Sequence, residues 1–280
     1  MLFLLFYTVR KEKMKHKINI LIIILVTIGI MGLVFLSFSP YYEPATRQYS
    51  FYVNNKVDDT IRIAFIGDSW AFLHKRHNCQ IANTISSRTG RPASIRSVGV
   101  NGMTSKEIYY SIFNNDSVRN VINWGPNFCI ISAGINDTDL KLGEKFYITN
   151  MLLILQFMAD NDIIPIVMEI PHYNIEYSFD KRYKRQKLFR IISMIITCSR
   201  INCIDSYREA FLQFIKSNGK NYNMHYLLSS KWNPDGYKDP RSIYTSDMMH
   251  INEHGYLILD SCIIEEIMNS LRNPSIKTKK

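Results

Sequence analysis

Residues 61–71, Ile-Arg-Ile-Ala-Phe-Ile-Gly-Asp-Ser-Trp-Ala, restrict the architecture more than any other stretch of the chain. A short apolar run rich in β-formers, closed by Gly67-Asp68-Ser69, reads as a buried strand that delivers a small polar loop to one edge of a sheet. Alone, Gly-Asp-Ser is a common turn. Its weight comes from the residues downstream of it.

After Ser69, residues 81–89 have helical periodicity and stop at Gly90; residues 93–98 read as a second strand running into Gly99-Val-Asn-Gly-Met-Thr104. An amphipathic segment covers 106–113, and a third strand, 128–132, ends in Ala133-Gly-Ile-Asn-Asp137. A helix is predicted over 144–159, a fourth strand over 163–170, a helix over 178–199, a short fifth strand over 201–204 and a last helix ending near Leu271. Strands alternating with helices imply a parallel sheet covered on both faces, with ligands at the carboxyl ends of its strands. Each polar loop singled out lies at such an end. Between 221 and 246 the pattern gives way to a long aromatic loop containing Trp232 and Tyr237, which stack on sugar rings or simply pack. His172, just after the fourth strand, faces the same edge and is a further candidate for substrate contact. His74 and His77 read as solvated loop positions, and the basic run Lys181–Lys187 as a solvated helical face.

Ahead of this domain, Ile18–Phe38 is a run of twenty-one residues without a charge, long enough to cross a hydrocarbon core as a helix. A cleaved signal peptide is the competing reading, disfavoured by the length of the run and by Pro40 after Ser37-Phe-Ser39. The basic flank over residues 10–17 predicts a cytoplasmic N-terminus and an extracytoplasmic domain. Residues 1–13 read as a cytoplasmic stub or as the product of a start upstream of Met14. The expected organisation is a basic stub (1–17), a transmembrane signal-anchor helix (18–38), a linker lifting the domain off the bilayer (39–60), the globular domain (61–272) and a basic tail (273–280).

Residues 1–17 carry +4 of the formal charge of +10, leaving +6 for the rest of the chain, which gives a nucleic-acid partner little support. Five cysteines show no metal-ligand spacing. Cys129 and Cys262 lie in apolar segments; Cys198 and Cys203 are close enough in sequence to pair in an oxidising compartment.

The polar loops contain the parts of an acyl-transfer site. A serine hydroxyl needs a base to take its proton, and the base works best when a carboxylate fixes its tautomer. Asp247 and His250, three residues apart on one turn, supply both. Candidate donors to a developing oxyanion are the N–H of Ser69, the N–H of Gly102 and the side-chain amide of Asn136.

These blocks, Gly67-Asp68-Ser69, Gly99–Thr104, Gly134-Ile-Asn-Asp137 and Asp247-Met-Met-His250 with Gly255-Tyr256 beyond, resemble in their order those of the SGNH (GDSL-type) hydrolases. The resemblance covers residues 61–270. It implies a three-layer α/β/α sandwich, flavodoxin-like, around a five-stranded parallel sheet. It also implies Ser69 as nucleophile, His250 as base and then acid, Asp247 as the orienting carboxylate, an oxyanion hole from Ser69, Gly102 and Asn136, and no metal or organic cofactor. Asp68 and Asp137 read as braces for their loops, and Asn252 as the cap of the last helix. The reaction expected is hydrolysis of small acyl esters, O-acetyl groups on an extracytoplasmic carbohydrate first among them. The alternatives are an O-acetyltransferase served by a membrane acyl-donor protein, a lipid esterase or lysophospholipase, and a catalytically idle polysaccharide-binding protein.

Overall fold

The computed structural model describes residues 2–48, 51–53 and 58–272 and divides into two units, 1–43 and 44–280. The first is one helix, α1 (Leu2–Tyr42), whose Met14–Leu33 segment is long and apolar enough to cross a membrane. That segment overlaps the predicted 18–38. The basic tail expected over 273–280 lies outside the described residues.

In the second unit a five-stranded parallel sheet runs in the order β2-β1-β3-β4-β5, with β1 Ile61–Gly67, β2 Ala93–Gly99, β3 Phe128–Ser132, β4 Ile164–Met168 and β5 His225–Leu227. Every residue of β1 and β3 is buried, as central strands covered on both faces must be. Each large side chain so buried stabilises the fold by about 1.5–3 kcal/mol. Parallel strands need crossovers, and their right-handedness assigns the helices to faces. The step from β1 to β2 puts α3 (Asn78–Thr89) on one face, where it packs with the closing helix α11 (Glu253–Arg272). The chain then steps back past β1. The crossovers carrying α4 (Ser105–Asn114), α7 (Glu144–Asp160) and α10 (Ile204–Asn218) therefore cover the other face, where α4 and α10 both pack on α7.

Three expectations change. Residues 201–204 are not a strand: they lead into α10, and the fifth strand is the short β5, inside the stretch read as an irregular loop. The helix predicted over 178–199 is two, α8 (Ile175–Lys181) and α9 (Lys184–Thr197), separated by Arg182 and Tyr183 in extended conformations. Part of the stretch read as a linker is folded onto the domain. The N–H groups of Ala45 and Val53 donate to Asn150 Oδ1 (2.7 Å) and Asn161 Oδ1 (2.6 Å), and the Phe51 ring packs edge-on against Phe113 and Phe157.

Candidate active site

Strand register brings the polar loops together. Gly67 pairs with Gly99 on one side and with Ser132 on the other, so three adjacent strands end in one row. The residues just beyond them, Ser69, Gly102 and Asn136, rise from the same carboxyl edge. Ser69 opens α2 (Ser69–His74), capped by Asp68, whose Oδ1 accepts from the N–H of Trp70 (3.0 Å) and from Ser132 Oγ–H (2.8 Å). Asp68 thus ties the serine turn to the end of β3, the bracing role its position suggested.

Asp247, Met248, Met249 and His250 form a tight turn ahead of α11. Asp247 Oδ1 accepts from the N–H groups of Met249 and His250 (both 2.9 Å) and from Thr245 Oγ–H (2.7 Å), while Oδ2 lies 2.6 Å from His250 Nδ1. Burial alone would raise this carboxyl, but these donors outweigh it and hold Asp247 well below the usual carboxylate range. An ionised carboxylate only accepts, so His250 carries its proton on Nδ1 and presents Nε2 as the acceptor. Ser69 Oγ lies 2.8 Å from that Nε2 and donates to it. Thr245 was not among the residues expected here; a Thr two residues before an Asp is the signal that points to it.

Gly102 sits at φ +81° in a turn closed by the N–H of Met103 on Val100 O (3.3 Å), and a Cβ there would meet nothing within 4 Å. Backbone conformation, not crowding, calls for glycine at this position. Asn136 Nδ2 donates to Met103 O (2.9 Å), which fastens the amide beside the Gly102 turn and leaves its second hydrogen for a ligand. Asn136 belongs to a short helix, α6 (Ile135–Leu140), where the sequence predicts a loop. Asp137 accepts from the N–H of Ser105 (2.9 Å) and from its hydroxyl, so it braces the start of α4.

Burial dominates at both bracing carboxyls and raises Asp68 to about 6 and Asp137 to about 7 from an ordinary 3.8. The folded chain therefore holds these protons to higher pH than the unfolded chain does. The stability they supply is complete below about pH 4 and is lost as pH rises through about 6 and about 7. Unfolding free energy, read by denaturant titration at stepped pH, should carry this decline, and Asp137→Asn should flatten its upper part. Parallel curves for variant and wild type would contradict the assignment.

Beside the relay lies a cleft of about 420 Å³, with Asp247 and His250 on one side and Tyr177, Lys181, Arg182 and Tyr183 on the other. Its far wall is α8 and the start of α9. The N–H of Asn174, the α8 cap, donates to Met248 O (2.9 Å), and Arg182 and Arg190 converge on Asp139 of α6. The basic run read as a solvated face therefore contributes to the cleft wall.

The aromatic candidates from the 221–246 loop do not line this cleft. Trp232 is completely buried and packs edge-on against Trp70, with ring centroids 5.7 Å apart, which corrects its reading as a sugar-stacking residue. The Tyr237 N–H is spent on His172 O (2.8 Å), and His172 Nε2 faces Asp205 Oδ1 at 3.3 Å. Burial first, and then the nearby Arg208 guanidinium, lower the His172 pKa. His74 is buried against Asp260 (2.7 Å), not solvated; the His77 side chain lies outside the described residues. Cys129, Cys198, Cys203 and Cys262 are free thiols, so Cys198 and Cys203 do not pair.

No protein-family model and no curated protein matches the chain. Among solved structures it is similar to an acetyl xylan esterase at 14% identity and a TM-score of 0.52, covering 74% of this chain and 100% of that one. It is also similar to a variant of an acetyl-xylooligosaccharide esterase from Geobacillus at 17% identity and a TM-score of 0.50, covering 78% of this chain and 96% of that one. At such identities the likeness lies in the fold: the chain shares the three-layer α/β/α sandwich of these proteins.

Proposed function

We propose that this chain, which has the fold of the SGNH hydrolases, is a serine esterase that removes small acyl groups, O-acetyl first, from an extracytoplasmic carbohydrate. The observation that carries the reading is the continuous relay from Ser69 Oγ through His250 to Asp247. Ser69 Oγ attacks the ester carbonyl as His250 Nε2 takes its proton, and Asp247 stabilises the imidazolium. The N–H groups of Ser69 and Gly102 and the Asn136 amide receive the oxyanion. His250 returns the proton to the departing alcohol, leaving acyl-Ser69. A second hydroxyl, activated by the same Nε2, then releases the acyl group, and water gives the acid.

The neighbours' esters are acetylated sugars, and Tyr177 and Tyr183 at the cleft give a sugar ring aromatic faces to stack on. The basic flank before the apolar helix supports an extracytoplasmic placement. Full-length protein should hydrolyse acetylated xylo-oligosaccharides and p-nitrophenyl acetate and fall off steeply toward octanoate. A preference for the long chain would replace this reading with a lipid esterase, and acetylated acceptor in place of free acetate would make the protein a transferase. Asn136→Ala should lower kcat about 10²–10³-fold with KM nearly unchanged, since the amide serves the transition state. An alkaline phosphatase fused after Lys280 should be active in intact cells; activity confined to a cytoplasmic reporter would reverse the topology.

A further inference from the structure

Helix α9 half-buries Phe189, Ile192 and Ile196 but turns a second set of apolar side chains outward. Its buried residues are Arg190 and Ser193, held inward where Arg190 meets Asp139, whereas Leu188, Ile191 and Ile195 are 58%, 42% and 72% exposed. These three recur at helical spacing and form one outward stripe, with Lys184 in line one turn earlier. An apolar stripe of this kind on a solvated helix face signals a missing partner.

Charge indicates which partner. Lys184 and Arg185 at one end of the stripe, and Arg200 just past the other, are exposed; among the described residues none has a carboxylate within ion-pair distance. Asp180 nearby is answered by Lys187 at 3.9 Å. Apolar side chains flanked by unpaired cations match the interface of an anionic bilayer, where the first enter the acyl boundary and the second meet phosphate. The same chain carries the Met14–Leu33 helix, long and apolar enough to cross a membrane. We infer that the outward face of α9 docks on an anionic lipid surface, holding the adjoining cleft at the membrane interface. This goes beyond the esterase reading and does not depend on it, because the test reads a lipid contact and not turnover.

The test uses the full chain in nanodiscs of phosphatidylcholine alone or mixed with phosphatidylglycerol. Cys79, Cys198 and Cys262 are changed to Ser, and an environment-sensitive nitrobenzoxadiazole label is placed at Ile195→Cys or, as control, at Leu257→Cys on α11. The label at 195 should gain several-fold in intensity, shift to the blue and be quenched by spin-labelled lipid in the phosphatidylglycerol discs, with the control unchanged. Lys184→Glu with Arg185→Glu should abolish that gain while the far-ultraviolet spectrum stays native. A label at 195 that remains in water in both discs overturns the inference. So does a blue shift seen only in native membranes, which would assign the face to a membrane protein, or one that requires two chains per disc, which would assign it to a second copy.

Discussion

Ser69→Ala is expected to lower kcat on p-nitrophenyl acetate by about 10⁴–10⁶-fold and to leave the fold intact. The loss is large because Ser69 Oγ is the atom that His250 Nε2 faces, so its removal ends covalent chemistry, with only the oxyanion donors left to act on bound ester. The fold survives because the hydroxyl is not a structural tie: the serine turn is held by Asp68, through Trp70 and Ser132. Steady-state kinetics beside a thermal melt measures both parts. A variant retaining a tenth of wild-type turnover, with wild-type melting, would remove Ser69 from the mechanism.

Gly67→Ala is expected to destabilise the domain by about 4 kcal/mol or more, since it adds overpacking to backbone strain. Gly67 has φ +152°, and a Cβ there would lie 2.2 Å from Ser132 O and 3.0 Å from Ser132 C and Cβ. These atoms belong to the neighbouring strand, so relief requires β1 and β3 to separate where Asp68 bridges them. Either response is costly: the domain unfolds at lower denaturant, or Ser69 shifts away from His250. Unfolding within about 1 kcal/mol of wild type, with unchanged kcat, would show that the crossing is more compliant than this geometry implies.

How much of the molecule is legible in its sequence depends on the range of the interactions involved. Ser69, Asp247 and His250 stand out because strand ends and a three-residue turn are local, and register does the rest. The helix pattern of α10, with Ile204, Tyr207 and Phe211 buried on one face, was legible in principle. The apolar start of that run, Ile201-Asn-Cys-Ile204, imitates a short strand, whereas β5 spans three residues and buries only Leu227 fully. Other features depend on distant partners. Nothing near Arg182 marks a helix break; the interruption accompanies the pull of Asp139, more than forty residues earlier, on Arg182 and Arg190. Trp232 and His74 look like surface residues until Trp70 and Asp260 are placed against them. The cleft wall is not legible locally because Lys181, Arg182, Tyr183 and Gln186 come from a run whose charge points to solvent.

The proposed reaction passes through a covalent acyl group on Ser69, which an acid quench can trap. Full-length protein mixed with p-nitrophenyl acetate and quenched in acid within the first turnovers should gain the mass of one acetyl group, mapped by peptide sequencing to Ser69. Ser69→Ala should gain none. Steady nitrophenol release with no acetylated Ser69 at any quench time, and with Ser69→Ala equally active, would mean that ester cleavage does not pass through Ser69.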